Sequence, residues 1–244
     1  MINFDSKREI TELKKYIAYN KKGTNPHLDS NIGLFRYIKD ADKIKTFLPQ
    51  GKILDWGCGL GQMSYFLKNR GFEVVSYDID QGGREFLSRI GQLLIAAKDP
   101  VNLPFPAASF DAVLSSGVLE HVSDPVGSLS EISRVIKKNS YLFVFRLPNK
   151  YSYIEFISDC LGHGDHPVKY SVREIKQILK SSGYEVLQIG YRGFIPYNLK
   201  GFHPLIRRFY HLLDSLLSMI DAVLTFLPIV NVFSTNIDLV ARKK

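Results

Sequence analysis

The feature that most constrains this chain is a run of three glycines at alternate positions, Gly57, Gly59 and Gly61, directly after a short apolar segment. The segment Lys52–Trp56 has the length and composition of a buried strand, and Gln62–Asn69 has those of a helix. Glycine permits a tight turn and lets the backbone approach a ligand without a Cβ in the way. A strand, a glycine turn and a helix in this order predict one unit of a parallel α/β sheet.

The rest of the chain continues this alternation. Two helical segments precede the glycine turn, and Pro49-Gln50-Gly51 separates them from it. Ser171 and Glu174 have the spacing of a helix capping box. Such an order predicts a parallel sheet with helices on both faces. The further predicted elements are strands at Glu73–Tyr77, Leu93–Ala97, Phe110–Ser115, Tyr141–Arg146, Glu185–Tyr191 and Ser234–Ala241, and helices near Arg84–Ile90, from Val126 to Ile136 and after Ser171.

Composition excludes several classes of protein. Hydrophobic residues make up 45% of the 244 residues and charged residues 23%, which is enough apolar material to exclude disorder over the whole length. Cys58 and Cys160 are too few for a disulfide scaffold or a cysteine-based zinc module. The net charge of +8 is scattered, and no nucleic-acid-binding motif accompanies it, so we predict no nucleic-acid partner. The first residues contain no apolar signal segment, and the apolar run Ala222–Ile237 is shorter than the roughly 20 residues of a spanning helix.

Two acidic residues follow the glycine turn at positions suited to holding a nucleoside. Asp78 ends the second predicted strand, where a carboxylate can accept hydrogen bonds from both hydroxyls of a ribose. Taken alone, Asp78 fits a turn or a helix cap better, because Asp80 and Gly82 follow it. Asp99 comes shortly before Leu103-Pro104-Phe105 and the next predicted strand.

Together these residues resemble the class I S-adenosylmethionine-dependent methyltransferases, in the branch that acts on small molecules, quinones and lipids. The segment Phe110–Val122, with the sequence FDAVLSSGVLEHV, is closely similar to the fourth motif of that family. The resemblance is strong over Ile53–Lys150 and weaker over Ser171–Tyr191. It implies a Rossmann-like, mostly parallel seven-stranded sheet with an antiparallel last strand, helices on both faces and a helical cap.

The resemblance also implies S-adenosyl-L-methionine as cofactor and S-adenosyl-L-homocysteine as product. In the family, the glycine turn carries the nucleoside and the methionine part, the acidic residue after the second strand holds the ribose, and an Asp before Leu-Pro-Phe holds the adenine amine. The cofactor-binding residues implied here are Asp55, Gly57, Cys58, Gly59, Gly61, Asp78, Ile79, Asp99, Pro100, Ser115 and Ser116.

Histidines supply the candidate bases, because methyl transfer to a hydroxyl or an amine needs a group that accepts a proton near neutral pH. His121 follows the fourth predicted strand, at the edge where open α/β sheets bind ligands, and packing of the cofactor pocket is the alternative of equal weight. His166 lies in the loop Gly162–Pro167, and a similar loop precedes a similar helix in related quinone and lipid-type methyltransferases. We therefore predict His121 and His166 as catalytic residues.

We predict no metal site. His163 and His166 flank Asp165, but without a further Cys or His nearby this pair fits a substrate-side loop better than a metal centre. For Glu120, pairing with a histidine or binding a metal stays open, and a carboxylate at the start of a helix is the favoured interpretation.

An insertion at about 193–233 separates the last two predicted strands. Its apolar residues surround a narrow polar stripe on one helix, and such a wide apolar face must be covered. We favour packing on the domain's own sheet or in a dimer, and keep an interfacial helix or a lid over a greasy acceptor as the alternative. The stripe is formed by Arg207, Arg208, His211, Asp214, Ser215, Ser218 and Asp221.

We therefore predict an N-terminal helical cap over residues 1–50 and a methyltransferase domain over residues 51–244. The expected acceptor is a small molecule, with a lipid-like compound, a quinone and a lipid-linked sugar as candidates. The expected location is the cytoplasm, with peripheral contact at the inner membrane surface left open, as a monomer or a homodimer.

Two other functions stay open. The first is a catalytically silent, methyltransferase-like protein that binds the cofactor and serves in assembly or membrane docking. The second is an NAD-dependent oxidoreductase, which is disfavoured because Gln62 stands where the dinucleotide motif has its third glycine.

Overall fold

The structure is a seven-stranded sheet with helices on both faces; the computed structural model describes residues 4–17, 31–99, 101–162, 164, 166–196 and 203–244. The strands are β1 (Lys52–Trp56), β2 (Glu73–Asp78), β3 (Leu94–Ala96), β4 (Phe110–Ser116), β5 (Ile136–Pro148), β6 (Tyr184–Arg192) and β7 (Asn236–Lys243). The helices are α1 (Phe4–Ile17), α2 (Asn31–Phe47), α3 (Gln62–Asn69), α4 (Arg84–Arg89), α5 (Pro125–Val135), α6 (Tyr153–Cys160), α7 (Val172–Ser181), α8 (Pro204–Leu212) and α9 (Asp214–Phe226).

The strand order places a ligand crevice in the middle of the sheet. The spatial order is β3-β2-β1-β4-β5-β7-β6, with β7 antiparallel to both of its neighbours and the pairs from β3 to β5 parallel. The chain runs outward from β1 to β3 and then returns to β4 on the other side of β1. Open α/β sheets bind ligands at such a switch point, outside the carboxyl ends of the strands. The predicted Rossmann-like sheet with an antiparallel last strand is confirmed.

Side-chain alternation along the strands supplies two separate cores. Ile53 of β1 packs with apolar residues of α1, α2, α3 and α4, whereas the next residue, Leu54, packs with those of α5 and α7. Successive strand residues point to opposite faces, so each central strand contributes to both cores. The predicted arrangement of helices on both faces follows from this.

Short-range sequence patterns predicted most helices and strands correctly. The predicted bounds of β1 and α3 are those observed, and the capping box of Ser171 and Glu174 is formed at the start of α7. β5 is longer than predicted at both ends. Its first residue, Ile136, pairs with β4, and its last, Pro148, pairs with β7. Those pairings join strands that are distant in sequence, which periodicity within one segment does not reveal. The helix α6 was not predicted.

The insertion differs from its prediction. It forms two helices, α8 and α9, with Leu213 at their junction, instead of one. Many of its described apolar side chains face solvent: Phe209 is 63% exposed and Phe226 is 84% exposed. Asp221 faces inward, where its carboxylate accepts hydrogen bonds from Arg36 (2.9 Å) and from the backbone N–H of Ile195 (2.7 Å). The favoured packing of the apolar face on the chain's own sheet is therefore wrong for these side chains. In the part of the chain that the structure describes, no helix combines the length and apolarity needed to cross a membrane.

A buried network of charges joins α2 to the sheet. Asp40 of α2 is 1% exposed and accepts hydrogen bonds from Arg146 of β5 (2.6 Å) and from Arg192 of β6. Asp238 of β7 accepts from Arg192 (2.7 Å) and from the backbone N–H of Arg146 (2.9 Å). Two carboxylates thus neutralise two guanidinium groups in a place where an unpaired charge would be costly.

Candidate functional site

The glycine turn lies at the carboxyl end of β1, beside the switch point. Its glycines have φ values of +72° at Gly57, +53° at Gly59 and +85° at Gly61, in the left-handed region that favours glycine. A Cβ on Gly57 would lie 2.3 Å from a methyl carbon of Val118, so the turn packs directly against the segment after β4. A Cβ on Gly59 would meet no atom of the described chain within 4 Å, so the space over this residue is open to a ligand.

Asp78 is bonded to that turn. The backbone N–H of Gly59 donates to Asp78 Oδ2 at 2.6 Å, and the N–H of Asp80 donates to Oδ1 at 2.8 Å. The turn-stabilising role considered for Asp78 is therefore present. It leaves lone pairs on both carboxylate oxygens, because each oxygen can accept two hydrogen bonds. Ile79, beside it, is 72% exposed.

Asp99 is held in a local turn on the far side of β2. Its carboxylate accepts hydrogen bonds from the backbone N–H groups of Val101 and Asn102, both at 2.7 Å, and from the side chain of Asn102 at 2.9 Å. The Asn102 side chain and these N–H groups lower the pKa of Asp99. The carboxylate is therefore kept ionised as an acceptor. Pro100 lies outside the described residues.

Tyr77 adds a polar atom that the sequence analysis missed. Its hydroxyl is buried and has no hydrogen-bond partner within the described ranges. Its ring packs edge-on against Phe105 with 5.6 Å between the centroids. Burial, and secondarily the charge of Asp99, raises the pKa of this hydroxyl, which therefore stays a donor. A buried donor without a partner beside Asp99 suits a ligand with nucleobase acceptors.

Asp55 and Cys58 are built into the interior around the turn. Asp55 is 1% exposed, and its Oδ2 accepts a hydrogen bond from Ser64 at 2.6 Å. Burial raises the pKa of Asp55 to about 6, against the opposing effect of the Ser64 bond. Burial also raises the pKa of the Cys58 thiol well above its ordinary value, so Cys58 is a packing residue instead of a nucleophile.

Two serines end β4 at the same edge. Ser115 is buried, and its hydroxyl lacks a hydrogen-bond partner in the part of the chain that is described. Ser116 accepts a hydrogen bond from Arg146, the residue that also bonds Asp40. The unpartnered hydroxyls of Ser115 and Tyr77 and the open space over Gly59 suit a ligand that forms hydrogen bonds at this edge of the sheet.

The segment after β4 carries a cluster of titratable side chains. The rings of His121 and His166 face each other with 5.8 Å between their centroids. Glu120 is 2% exposed, and its Oε1 is 4.0 Å from His121 Nε2. Its Oε2 has no hydrogen-bond partner among the residues described. Glu155 of α6 lies 3.0 Å and 3.1 Å from His166 Nδ1 through its two carboxylate oxygens.

Burial makes Glu120 an unusual carboxyl group. It raises the pKa of Glu120 from its ordinary value of 4.5 to about 7, while backbone hydrogen bonding and the charge of His166 act in the opposite direction. Tyr170, whose hydroxyl donates to the Leu119 carbonyl at 3.3 Å, holds this segment from the other side. The structure thus brings the two predicted histidines together and adds two carboxylates to them.

The same cluster bears on the question of a metal. Glu120, His121 and His166 each offer one potential ligand atom, and these atoms lie within 4.8 Å of one another. Ligand atoms about 2.1 Å from a cation lie roughly 3 to 3.5 Å apart in a tetrahedral site, so the cluster would have to contract to hold one. The predicted loop histidine His163 and Asp165 lie outside the described residues.

Sequence reasoning missed Glu155 although a signal was present. Ser152 and Glu155 have the spacing of a capping box, and Ser152 does cap α6, accepting a hydrogen bond from the Glu155 N–H at 3.2 Å. That spacing would have predicted the helix. It would not have predicted the contact with His166, which depends on the path of the loop between α6 and α7.

Comparisons of the sequence with known proteins find methyltransferases. A family model described as a methyltransferase domain matches residues 54–144. The chain is 30% identical over 166 residues to a ubiquinone biosynthesis O-methyltransferase from Pelagibacter ubique, covering 60% of this chain and 67% of that protein. It is 39% identical over 97 residues to a demethylmenaquinone methyltransferase from Beutenbergia cavernae, covering 39% of this chain and 40% of that protein.

One solved structure shows the same fold over nearly the whole length. A SAM-dependent methyltransferase from Thermotoga maritima superimposes with a TM-score of 0.61, covering 97% of each chain at 16% identity. At that identity the likeness supports the fold alone.

Proposed function

Since this chain belongs to the family of S-adenosylmethionine-dependent methyltransferases, we propose that it transfers a methyl group to a hydroxyl of a small, lipid-like acceptor of the quinone type. One observation carries the proposal. The glycine turn bonded to Asp78 packs, through Gly57 and Val118, against the segment that carries the titratable cluster. A donor site and a proton-accepting site therefore adjoin each other at one edge of the sheet. The quinone class is taken from the names of the two relatives.

The residues at the switch point fit the cofactor. When bound, S-adenosyl-L-methionine supplies an electrophilic methyl group on a sulfonium ion, and S-adenosyl-L-homocysteine is the product. Asp78 would accept hydrogen bonds from the ribose hydroxyls, and Asp99 would accept one from the adenine amine. Tyr77 would donate to a ring nitrogen of the base. The other cofactor-binding predictions stay predictions: Asp55, Gly57, Cys58, Gly59, Gly61, Ile79, Pro100, Ser115 and Ser116.

The histidines would handle the proton of the acceptor. A hydroxyl is a weak nucleophile until its proton is accepted by a base in the transition state. His121 and His166 lie at the sheet edge where the acceptor must meet the donor, and both are partly exposed. We assign His166 as the base and His121 as a group that contacts the acceptor.

A lipid-like acceptor is supported by an exposed apolar surface formed by α6, α8 and α9, which we call the apolar surface. Phe156 of α6 is 70% exposed, and Phe209 and Phe226 are more than half exposed. Both parts attach to one segment: Tyr153 of α6 packs on Phe194 with 5.0 Å between ring centroids, and Tyr210 of α8 donates to the carbonyl of Pro196. Both parts of the apolar surface are therefore anchored to the segment that contains Phe194 and Pro196.

We assign a bilayer as the occupant of the apolar surface. Among the side chains described in α8 and α9, the exposed charge is that of Arg208, while Asp221 is turned inward to Arg36. An apolar face that carries a basic residue suits a membrane that contains anionic lipids. The proposal accordingly places the protein in the cytoplasm, in peripheral contact with the inner membrane, and residues 1–50 as a cap over the site.

Calorimetric titration with S-adenosylmethionine, S-adenosylhomocysteine and NAD tests the cofactor assignment. We expect the two adenosyl compounds to bind and NAD not to bind. Asp78→Ala should weaken their binding by about 10-fold or more, because at least one charge-assisted hydrogen bond is lost. The matched control is Asp80→Ala, which removes a carboxylate that accepts a hydrogen bond from the Gly82 N–H in the same turn. Equal affinity in folded Asp78→Ala would contradict the ribose assignment.

A glycine pair tests the position of the ligand independently. Gly59 (φ +53°) and Gly71 (φ +82°) both have open space around a would-be Cβ, so an alanine costs each about 1 to 2 kcal/mol of backbone strain. Gly71 follows α3, at the opposite edge of the sheet from the proposed ligand. We expect Gly59→Ala to weaken cofactor binding and Gly71→Ala to leave it unchanged. Equal effects of the two substitutions would place the cofactor elsewhere.

A further inference from the structure

Glu155 is a buried carboxylate at the proposed site that no predicted motif contains. It lies in the first turn of α6 and is 7% exposed. Its two oxygens are 3.1 Å and 3.0 Å from His166 Nδ1. The Ser152 cap fixes the start of α6, so the helix itself sets the position of this carboxylate.

The pairing determines which ring nitrogen of His166 can act as a base. A carboxylate only accepts hydrogen bonds, so His166 Nδ1 carries the hydrogen in this contact. The lone pair of the neutral imidazole is then on Nε2. A proton can be taken up only by the nitrogen that has a lone pair. The carboxylate also stabilises the imidazolium that forms.

Other charged groups of the described residues surround His166 and Glu155. Glu120 and His121 face it from the segment after β4, with their nearest polar atoms within 4.8 Å. Lys169 Nζ lies 3.5 Å from Glu155 Oε2 and 2.5 Å from Asp159 Oδ2, and partly balances the charge of Glu155. Glu155 lies within hydrogen-bonding distance of His166 Nδ1 through both of its carboxylate oxygens.

Resting on the proposed function, we propose that Glu155 is a positioning residue that holds His166 in the tautomer whose Nε2 accepts the proton of the acceptor hydroxyl. The O–H bond of the acceptor breaks and its proton goes to Nε2. The oxygen electron pair forms the bond to the methyl carbon, and the electrons of the broken C–S bond stay with sulfur. The proton leaves His166 to solvent, which reaches 31% of its side chain.

The first experiment measures the tautomer and needs no acceptor. Nitrogen-15 NMR of the imidazole groups, assigned with His166→Ala, should show hydrogen on Nδ1 of His166 in the wild-type protein. Glu155→Ala should shift the signals toward a mixture of tautomers, and Glu155→Gln should lower the pKa of His166 because the facing negative charge is gone. The matched control is Asp159→Asn, which removes a half-exposed carboxylate of the same helix.

The second experiment measures turnover with a short-chain demethylated quinol. Glu155→Ala should lower kcat about 10- to 100-fold with KM and cofactor affinity nearly unchanged, because only proton acceptance is impaired. Glu155→Gln should retain part of kcat, since an amide oxygen still accepts from Nδ1. Its pH–rate profile should shift with the pKa of His166. Asp159→Asn should behave as wild type.

The outcomes separate the two proposals. Unchanged tautomer and unchanged kcat in folded Glu155→Ala would overturn the positioning role while leaving the proposed function in place. Full turnover by His166→Ala would overturn the assignment of His166 as the base in the proposed function. Loss of wild-type turnover in EDTA and its recovery with a divalent cation would also overturn the positioning role, because His166 would then be a cation ligand.

Discussion

At the scale of single residues, burial changes the chemistry of side chains whose types are ordinary. Glu120 and Asp55 are both nearly inaccessible to solvent, and burial raises the pKa of both carboxyl groups. Asp78 and Asp99, by contrast, are fixed by backbone N–H groups at the surface of the crevice. Four acidic residues of the same motif region therefore divide into two buried carboxyl groups with raised pKa values and two carboxylates held by backbone N–H groups.

The pKa of Glu120 predicts a pH dependence of stability. The folded-state pKa is about 7 and the ordinary value is 4.5, so between these values the folded protein binds more protons than the unfolded chain. Stability is therefore lost as the pH rises through this window, by about 3 kcal/mol at most. In Glu120→Gln the side chain is uncharged at every pH. We therefore expect this variant to lose less stability than wild type between pH 5 and pH 8.

Urea denaturation at several pH values measures this difference. Exposed Glu73→Gln on β2 is the control, because its side chain is 66% exposed and its charge stays in water. Parallel stability curves for wild type and Glu120→Gln would show that Glu120 does not titrate in this range.

At the scale of secondary-structure elements, the helices α8 and α9 differ most from ordinary surface helices. An ordinary surface helix buries its apolar face and exposes its polar one. Here Asp221 is turned inward to an ion pair with Arg36, and Leu212 and Phe226 are more than three-quarters exposed. The described part of the chain therefore leaves these apolar side chains of α8 and α9 exposed.

The bilayer assignment predicts vesicle binding that depends on this face. The double variant Phe209→Ser, Phe226→Ser should reduce co-sedimentation with phosphatidylcholine–phosphatidylglycerol vesicles about 10-fold or more, since each phenylalanine contributes roughly 1.5 to 3 kcal/mol on burial. The control is Leu93→Ser, an 82% exposed leucine beside β3, at the other edge of the sheet.

Light scattering checks the competing occupant of the same face. A stable dimer that the double variant converts to a monomer, together with unchanged vesicle binding, would show that a second copy covers the apolar surface instead of lipid.

At the scale of the whole molecule, one charged network connects parts that are far apart in sequence. Asp40 of α2 bonds Arg146 and Arg192, and Asp238 bonds the same two residues from β7. Asp221 of α9 adds a further tie to α2 through Arg36. The helix α2, the strands β5 to β7 and the insertion are therefore held together by paired charges as well as by apolar contacts.

Removing one member of this network should destabilise the whole fold. Asp40→Ala leaves two guanidinium groups short of a partner in the interior, at a cost of about 3 to 5 kcal/mol. Asp42→Ala is the matched control on the same helix, because that carboxylate is 61% exposed and its pair with Arg70 contributes about 0 to 1 kcal/mol. Chemical denaturation measures both, and equal effects would mean that the network is dispensable.

The predictions that succeeded rest on short stretches of chain. A strand, three glycines and a helix follow one another within Lys52–Asn69, and the pleat and helix periods of these segments can be counted directly. Asp78 lies at the end of β2 and Asp99 follows β3 as predicted, and their cofactor-binding role stays a prediction. The ends of β5 were not predicted because they depend on pairing with strands elsewhere in the fold. The helix α6 was not predicted because its capping pair was overlooked.

The sequence alone therefore determined the sheet, the glycine turn and the two acidic positions, because each depends on neighbours within a few residues. Only the tertiary structure decided that Glu155 orients His166, that Asp40 joins Arg146 and Arg192, and that the apolar side of α8 and α9 faces outward. These contacts join residues from different elements of the fold. They form where burial makes an unpaired charge costly, and that cost exists only once the chain has folded.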